Sequence, residues 1–158
     1  MIPNLSYRGW VIALGGLSAM LLAMAFGFEA AGYRPCELCL LQRWPHAGAG
    51  LLALEALLMT QPPRALAWIG GALMLGSMAL GIYHSGVEWH LWPGPSSCTG
   101  GAALQGLSTQ QLLDQIMAAP MVRCDQPALT ILGTTMANWN AVASALLAFV
   151  WARVATTR

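Results

Sequence analysis

The sequence predicts an all-α integral membrane protein, a four-transmembrane-helix bundle with a long extracytoplasmic loop that carries a short amphipathic helix. Three observations predict it. Of 158 residues, 57% are hydrophobic and only 8% charged, against about 25% charged in a soluble globular domain. Four apolar segments each reach the roughly 20 residues that cross a bilayer. All four cysteines lie outside those segments or at their edges. Lysine is absent and the net charge is +1, which argues against a nucleic-acid partner.

The first span covers about 9–28 and holds no charge. Its apolar core is longer than the 7–15 residues of a signal peptide, and the cleavage-like Ala23-Met24-Ala25 lies inside it, so it reads as a retained helix. The second span covers about 38–59 and is interrupted by Arg43 and Glu55. Pro45 inside it is expected to kink the helix and open room beside it. The third covers about 65–87, with His84 near its end. The fourth lies within 128–152 and is taken as about 134–153. Residues 29–37 and 60–64 are short connections. Residues 88–127 form the long loop. No segment outside the spans is long enough to bury a core of its own, so residues 1–158 read as one membrane domain.

Within the long loop, Ser108 is placed to N-cap a helix, with Gln111 completing a capping box and Leu107 stapling to Leu112. Leu112, Leu113, Ile116 and Met117 form its apolar stripe, and Pro120 ends it. Such a helix is expected to lie flat on the outer interface or to pack over the mouth of the bundle.

Arg8, Arg64, Arg153 and Arg158 fall on one side without acidic company. Arg34 and Arg123 fall on the other, with Glu37, Glu88, Asp114 and Asp125. The positive-inside bias then places both termini in the cytoplasm and all four cysteines in the opposite compartment. Trp10, Trp68 and Trp151 would mark the inner interface, and Trp89, Trp92 and Trp139 the outer one.

The cysteines fall into two sets, Cys36 with Cys39 and Cys98 with Cys124. Cys36-x-x-Cys39 is compatible with a redox pair, half of a metal site or an inert staple, though so short a loop gains little entropy on closure. Pro35 marks a helix boundary. That puts both thiols in or near a first helical turn, where backbone N–H groups and the positive dipole end favour a thiolate. Cys36, Cys39 and Arg43 share a face at i, i+3 and i+7. Arg43 lies about 6 Å deeper than Cys39, where an unpartnered charge costs a few kcal/mol. It either snorkels to the headgroups or polarises an acceptor bound beside the cysteines. A disulfide in an oxidising loop turns over only if something removes two electrons per cycle. A membrane-dissolved quinone is the available oxidant at that depth, with Arg43 hydrogen-bonding a quinone oxygen.

Cys98 and Cys124 bracket the amphipathic helix. Closing that loop could add roughly 3–4 kcal/mol as a static staple. Alternatively, the Gly-rich Thr99-Gly100-Gly101 segment presents an exposed, mobile disulfide to another protein's thiolate. His84 lies at the predicted depth of the cysteine pair and is a candidate ligand for a quinone head. His46 lies one turn beyond Arg43. His90 is expected to be solvated, and Glu55 wetted near the inner interface.

Pro35-Cys36-x-x-Cys39-x-x-x-Arg43 opening the second span, "YHSGVEWHLWPGPSSC" running into Cys98, and "MANWN" opening the last span together resemble the bacterial disulfide bond formation protein B (DsbB) family. The resemblance implies a thiol oxidase of the bacterial inner membrane with both cysteine pairs periplasmic. It implies reoxidation of a periplasmic thioredoxin-fold partner of the DsbA type, with electrons passed to ubiquinone or menaquinone. By that resemblance Cys98 forms the mixed disulfide with the partner and Cys124 resolves it. Cys36–Cys39 reoxidises the resulting dithiol, with Cys39 nearest the quinone and Arg43 holding it. No resident metal is implied. Two other readings are a vitamin K epoxide reductase-like oxidoreductase, whose active pair falls late in the chain, and a tetraspan binding or structural protein with metal-ligating or stapling cysteines.

Overall fold

The architecture is four long helices running alternately up and down, with the remaining elements gathered at one end. It is seen in a computed structural model that describes residues 5–99, 108–118 and 122–157. In chain order the elements are α1 (Tyr7–Ala30), α2 (Glu37–Leu58), α3 (Ala65–Glu88), a single turn α4 (Ser96–Thr99), α5 (Thr109–Ala118), strands β1 (Thr130–Ile131) and β2 (Thr134–Thr135), and α6 (Met136–Thr156).

Local sequence explains where the long helices start. Ser6 accepts from the Gly9 N–H at 3.2 Å to cap α1, and Thr135 caps α6 from the Asn138 N–H. Cys36 caps α2 through its own sulfur, which accepts from the Cys39 N–H at 3.3 Å. These side chains satisfy backbone donors that a helix start leaves open.

Helices α1, α3 and α6 are long and apolar enough to cross a membrane. The second of the four expected spans differs. Helix α2 has 22 residues, enough for about 33 Å at 1.5 Å per residue. It carries Glu37, Gln42, Arg43, His46 and Glu55, however, and it does not meet the measure of apolarity that the other three meet. Pro45 lies inside α2, and the helix continues through it.

Helix α1 packs on α2, α2 on α3, and α3 on α6. Small residues allow the close approaches that lipid-embedded helices use in place of a hydrophobic drive. A Cβ on Gly70 would lie 2.7 Å from the Trp151 indole, so only glycine lets α3 take that ring. Val11, Ala49, Met74 and Trp151 are wholly buried in the shared core. Outward-facing side chains are equally apolar: Leu58 is 81% exposed, Phe149 65% and Leu51 62%. A face of that kind suits a hydrocarbon surround. Trp151 is therefore not the interface marker expected of it. It is a core residue seated on Gly70, whereas Trp68, Trp89 and Trp139 are exposed.

The two ends of the bundle are built differently. At the first, Arg8 donates to the carbonyls of Ala56 and Leu57 at 2.8 and 2.9 Å. Arg64 donates to those of Ala155 and Thr157. These cations satisfy open carbonyls at the negative dipole ends of α2 and α6. At the other end a short hairpin, not expected from the sequence, precedes α6. Thr130 pairs with Thr135 and Ile131 with Thr134, around a turn in which Leu132 and Gly133 both have positive φ, 53° and 78°. Such a two-residue turn matches the twist of a hairpin.

In α5 the capping box is present, with Ser108 N–H donating to Gln111 Oε1 at 2.9 Å and Gln111 N–H to Ser108 Oγ at 3.3 Å. Leu113 and Met117 of its apolar stripe are exposed. Leu107 and Pro120, and the side chains of Leu112 and Ile116, lie outside the described residues.

Candidate functional site

All four cysteines meet above the start of α2. Cys98 and Cys124 are joined as a disulfide. Cys36 and Cys39 are free thiols, and the Cys36 S–H donates to Cys39 Sγ at 3.1 Å. The Sγ atoms of Cys36, Cys98 and Cys124 all lie within 4.8 Å of one another. Cys36 therefore touches both pairs. The expected exposed, presented disulfide is not what the structure has. Cys98 and Cys124 are 1% and 0% exposed and pack with Cys36, Leu38 and Val87 in a small core of their own. The reason is local. Turn α4 is tied down by Ser97 Oγ donating to Glu37 Oε2 at 2.6 Å, and the Cys124 N–H donates to the Cys98 carbonyl at 3.1 Å. Gly100 and Gly101 of the expected mobile segment lie outside the described residues.

Below the sulfurs runs a buried polar chain. His84 Nε2 is 3.5 Å from Cys36 Sγ, and its Nδ1 is 2.8 Å from Gln42 Nε2. Asn140 on α6 donates to Gln42 Oε1 at 2.7 Å and to Ser77 Oγ at 3.2 Å. Asn140 Oδ1 is 2.9 Å from His46 Nε2, and Ser144 Oγ donates to Ser77 Oγ at 2.9 Å. Three helices thus exchange hydrogen bonds inside an apolar bundle, where an unpaired polar group is costly. Glu88, at the end of α3, is half-buried, with its side chain turned inward. It accepts from Thr135 Oγ1 at 2.5 Å, and its Oε1 is 3.8 Å from His84 Nε2.

Arg43 neither snorkels nor stands free. It donates to Glu29 Oε2 at 2.6 Å, reaches the Ala25 carbonyl at 3.4 Å, and lies over the Phe26 ring at 4.6 Å. Hydropathy alone does not pair Glu29 with it, because residue 29 falls in the expected connection 29–37. Helix α1 runs on to Ala30 and carries Glu29 to the level of Arg43. Beside them a cavity of about 480 Å³ opens between α1, α2 and the start of α6. Leu21, Phe28 and Met136 are among its apolar walls, while Cys39, Arg43 and His84 bring polar groups to it. Such a pocket, apolar with few convergent polar groups, suits a flat, mostly apolar ligand with polar ends.

Outside the spans, Arg123 donates to both carboxylate oxygens of Asp125 at 2.9 and 2.6 Å. That guanidinium holds the Asp125 carboxyl below the usual aspartate range. His90 is exposed, as expected, with φ 57°, and Glu55 is exposed.

Residues 7–154 match the family described as disulfide bond formation protein DsbB. The chain belongs to the DsbB family. Among relatives of this DsbB-family chain, a disulfide bond formation protein B of Albidiferax ferrireducens is 32% identical over 146 residues, 83% of this chain and 81% of that one. Another, from Cupriavidus necator, is 29% identical over 138 residues, covering 84% and 81%. The uncharacterized protein RP370 of Rickettsia prowazekii is 31% identical over 109 residues, 68% of this chain and 63% of its own length. No solved structure matches. Family membership and the apolar helices make this a multi-pass membrane protein of disulfide bond formation.

Sequence reasoning missed Gln42, Ser77, Asn140, Ser144, Glu29 and Glu88 as members of this site. A signal existed for the first four. Each is a polar residue inside an apolar run, and in a membrane such residues face the bundle interior.

Proposed function

We propose that this chain is a quinone-dependent thiol oxidase. It reoxidises a periplasmic thioredoxin-fold protein of the DsbA type and passes two electrons to ubiquinone or menaquinone in the bacterial inner membrane. The single observation that carries this reading is the position of Cys36. Its sulfur is within 4.8 Å of both sulfurs of the Cys98–Cys124 disulfide and 3.1 Å from Cys39, which itself borders the apolar cavity. Exchange between the pairs and electron exit to a lipid-soluble acceptor then share one short path. In this reading α2 is the fourth span, with Gln42, Arg43 and His46 turned to α1, α3 and α6. Both termini face the cytoplasm and both cysteine pairs the periplasm, with Arg8 and Arg64 at the cytoplasmic end.

The chemistry balances through the chain's own sulfurs. A partner thiolate attacks Cys98, and Cys124 leaves as a thiolate. Cys124 attacks Cys36 of an oxidised Cys36–Cys39 pair and expels the Cys39 thiolate. The partner's second thiolate closes the partner's own disulfide and frees Cys98. Cys98 then attacks Cys124 and frees Cys36. Two electrons have moved from the partner dithiol to Cys36 and Cys39. The residues lining the cavity fit a quinone, with apolar walls for the ring and Arg43 for an oxygen atom, while the ring nitrogens of His84 are taken by Gln42 and Cys36. Bound there, quinone supplies a two-electron, two-proton acceptor. Arg43 orients it and stabilises negative charge, and Glu29 holds Arg43 in place at that depth.

The test is the full-length protein in detergent with a reduced DsbA-type protein and a quinone, followed by quinone absorbance. The expected result is stoichiometric loss of quinone and of partner thiols. Thiol oxidation without quinone loss, or no turnover with either quinone, contradicts the reading. Cysteine labelling from each side of the membrane in cells tests the orientation.

A further inference from the structure

The polar chain beneath the cysteines has one direction, and a single backbone carbonyl sets it. The Gln42 amide nitrogen lies 3.1 Å from the Leu38 carbonyl. A carbonyl only accepts, so the Gln42 NH₂ faces it and Oε1 faces away. That NH₂ also meets His84 Nδ1 at 2.8 Å, so Nδ1 must accept. Gln42 Oε1 takes the Asn140 NH₂ at 2.7 Å, which pins the amide from its other side. His84 therefore carries its proton on Nε2 when neutral. The groups near that nitrogen include the acceptors Cys36 Sγ at 3.5 Å and Glu88 Oε1 at 3.8 Å, and the ring also donates to the Cys124 backbone. The neighbours on both sides of the ring thus demand the same tautomer.

We propose that Gln42 and Asn140 are positioning residues that lock His84 as the Nε2–H tautomer, with two consequences for the reduced cysteine pair. The first is electrostatic order. His84 donates to Cys36 Sγ, and the Cys36 S–H donates on to Cys39 Sγ at 3.1 Å, a chain in which each bond polarises the next. The negative charge of the reduced pair is thereby placed on Cys39, the sulfur that borders the cavity. The second is exclusion. Cys36 Sγ, Cys39 Sγ and a ring nitrogen of His84 lie within 4.8 Å of one another, two thiols and an imidazole in a cluster that a soft metal ion would seize. An Nε2 that bears a proton cannot ligate. The amide lock keeps a thiol pair that is repeatedly reduced from being trapped as a metal complex. It rests on Cys36–Cys39 being a redox pair, and not on which acceptor drains it.

The experiment uses reduced full-length protein in detergent, with ¹⁵N-labelled histidines and Cd²⁺ as the probe. His84 signals are identified by their loss in His84→Ala. The wild-type ring is expected to show the Nε2–H pattern. Gln42→Met removes the donor to Nδ1. It is expected to release the tautomer, to tighten Cd²⁺ binding by about tenfold, the scale on which such outer partners tune metal sites, and to slow alkylation of Cys39. Adding His84→Ala to Gln42→Met should abolish the gain in Cd²⁺ affinity. An Nδ1–H pattern in the wild type overturns the proposal, and that measurement stands even if Gln42→Met does not fold. Unchanged Cd²⁺ affinity in folded Gln42→Met also overturns it. Neither readout needs quinone or turnover, so failure here is distinct from failure of the quinone assay.

Discussion

The two ends of the bundle solve the same problem in opposite ways. Each must place charged or polar groups close to hydrocarbon. At the Arg8–Arg64 end the guanidiniums turn to helix-terminal carbonyls of Ala56, Leu57, Ala155 and Thr157. Among the described residues both guanidiniums are thereby occupied by backbone, and Trp151 fills the core above. At the cysteine end the polar groups turn to one another across α2, α3 and α6, and a cavity is kept open beside them. The first end spends its polarity on helix termini. The second keeps it inside the bundle, where it is expensive unless satisfied. Cost without evident structural return is the mark of a working site.

If that contrast is right, substitutions at the cysteine end change rate and those at the arginine end change stability. The largest effect is expected for Cys39→Ser. It should abolish quinone-dependent oxidation of the partner dithiol while the thermal midpoint stays near that of the wild type. Next is Arg43→Ala, expected to raise the apparent KM for quinone or slow its reduction by about 100–1,000-fold, the range for one lost charge-stabilising donor. Full speed at low quinone would remove the role given to Arg43. At the other end, Trp151→Ala should cost about 3–5 kcal/mol of stability in detergent unfolding, because Gly70 leaves no side chain able to refill the space. Arg64→Ala should cost about 0.5–1.5 kcal/mol and leave turnover unchanged once folded protein is counted. The smallest effect is expected for Asp125→Asn, on an exposed ion pair. Because Arg123 depresses the Asp125 pKa, its contribution to stability is present above the ordinary aspartate range and fades as pH falls through the depressed value. Above pH 6 the variant's oxidation rate should stay within about twofold of wild type.

The long helices were legible because hydropathy is a one-dimensional signal: 20 apolar residues announce a span wherever their neighbours lie. Helix α2 was legible in extent but not in character, since Gln42, Arg43 and His46 matter through their partners on other helices. The capping box of α5 is local and therefore legible from Ser108 and Gln111. The hairpin at Thr130–Thr135 was not, because a turn with Leu132 at positive φ has no composition signature. Burial of Cys98 and Cys124 was invisible for a different reason. It arises from contacts such as Ser97 to Glu37, 60 residues apart, which spacing within a loop does not encode. Trp151 misled because tryptophan at a helix end reads as an interface anchor, and only the glycine opposite reveals a core ring.

The account turns on Cys36 as the sulfur at which the two pairs meet. Its most direct test is the Cys39→Ser, Cys98→Ser double variant, whose only remaining cysteines are Cys36 and Cys124. Mild oxidation of the folded protein, with mass spectrometry of unreduced peptides, reads the outcome. We predict near-complete formation of a Cys36–Cys124 disulfide within one protein molecule. Two thiols that both stay free and open to alkylation in the folded protein would contradict the account.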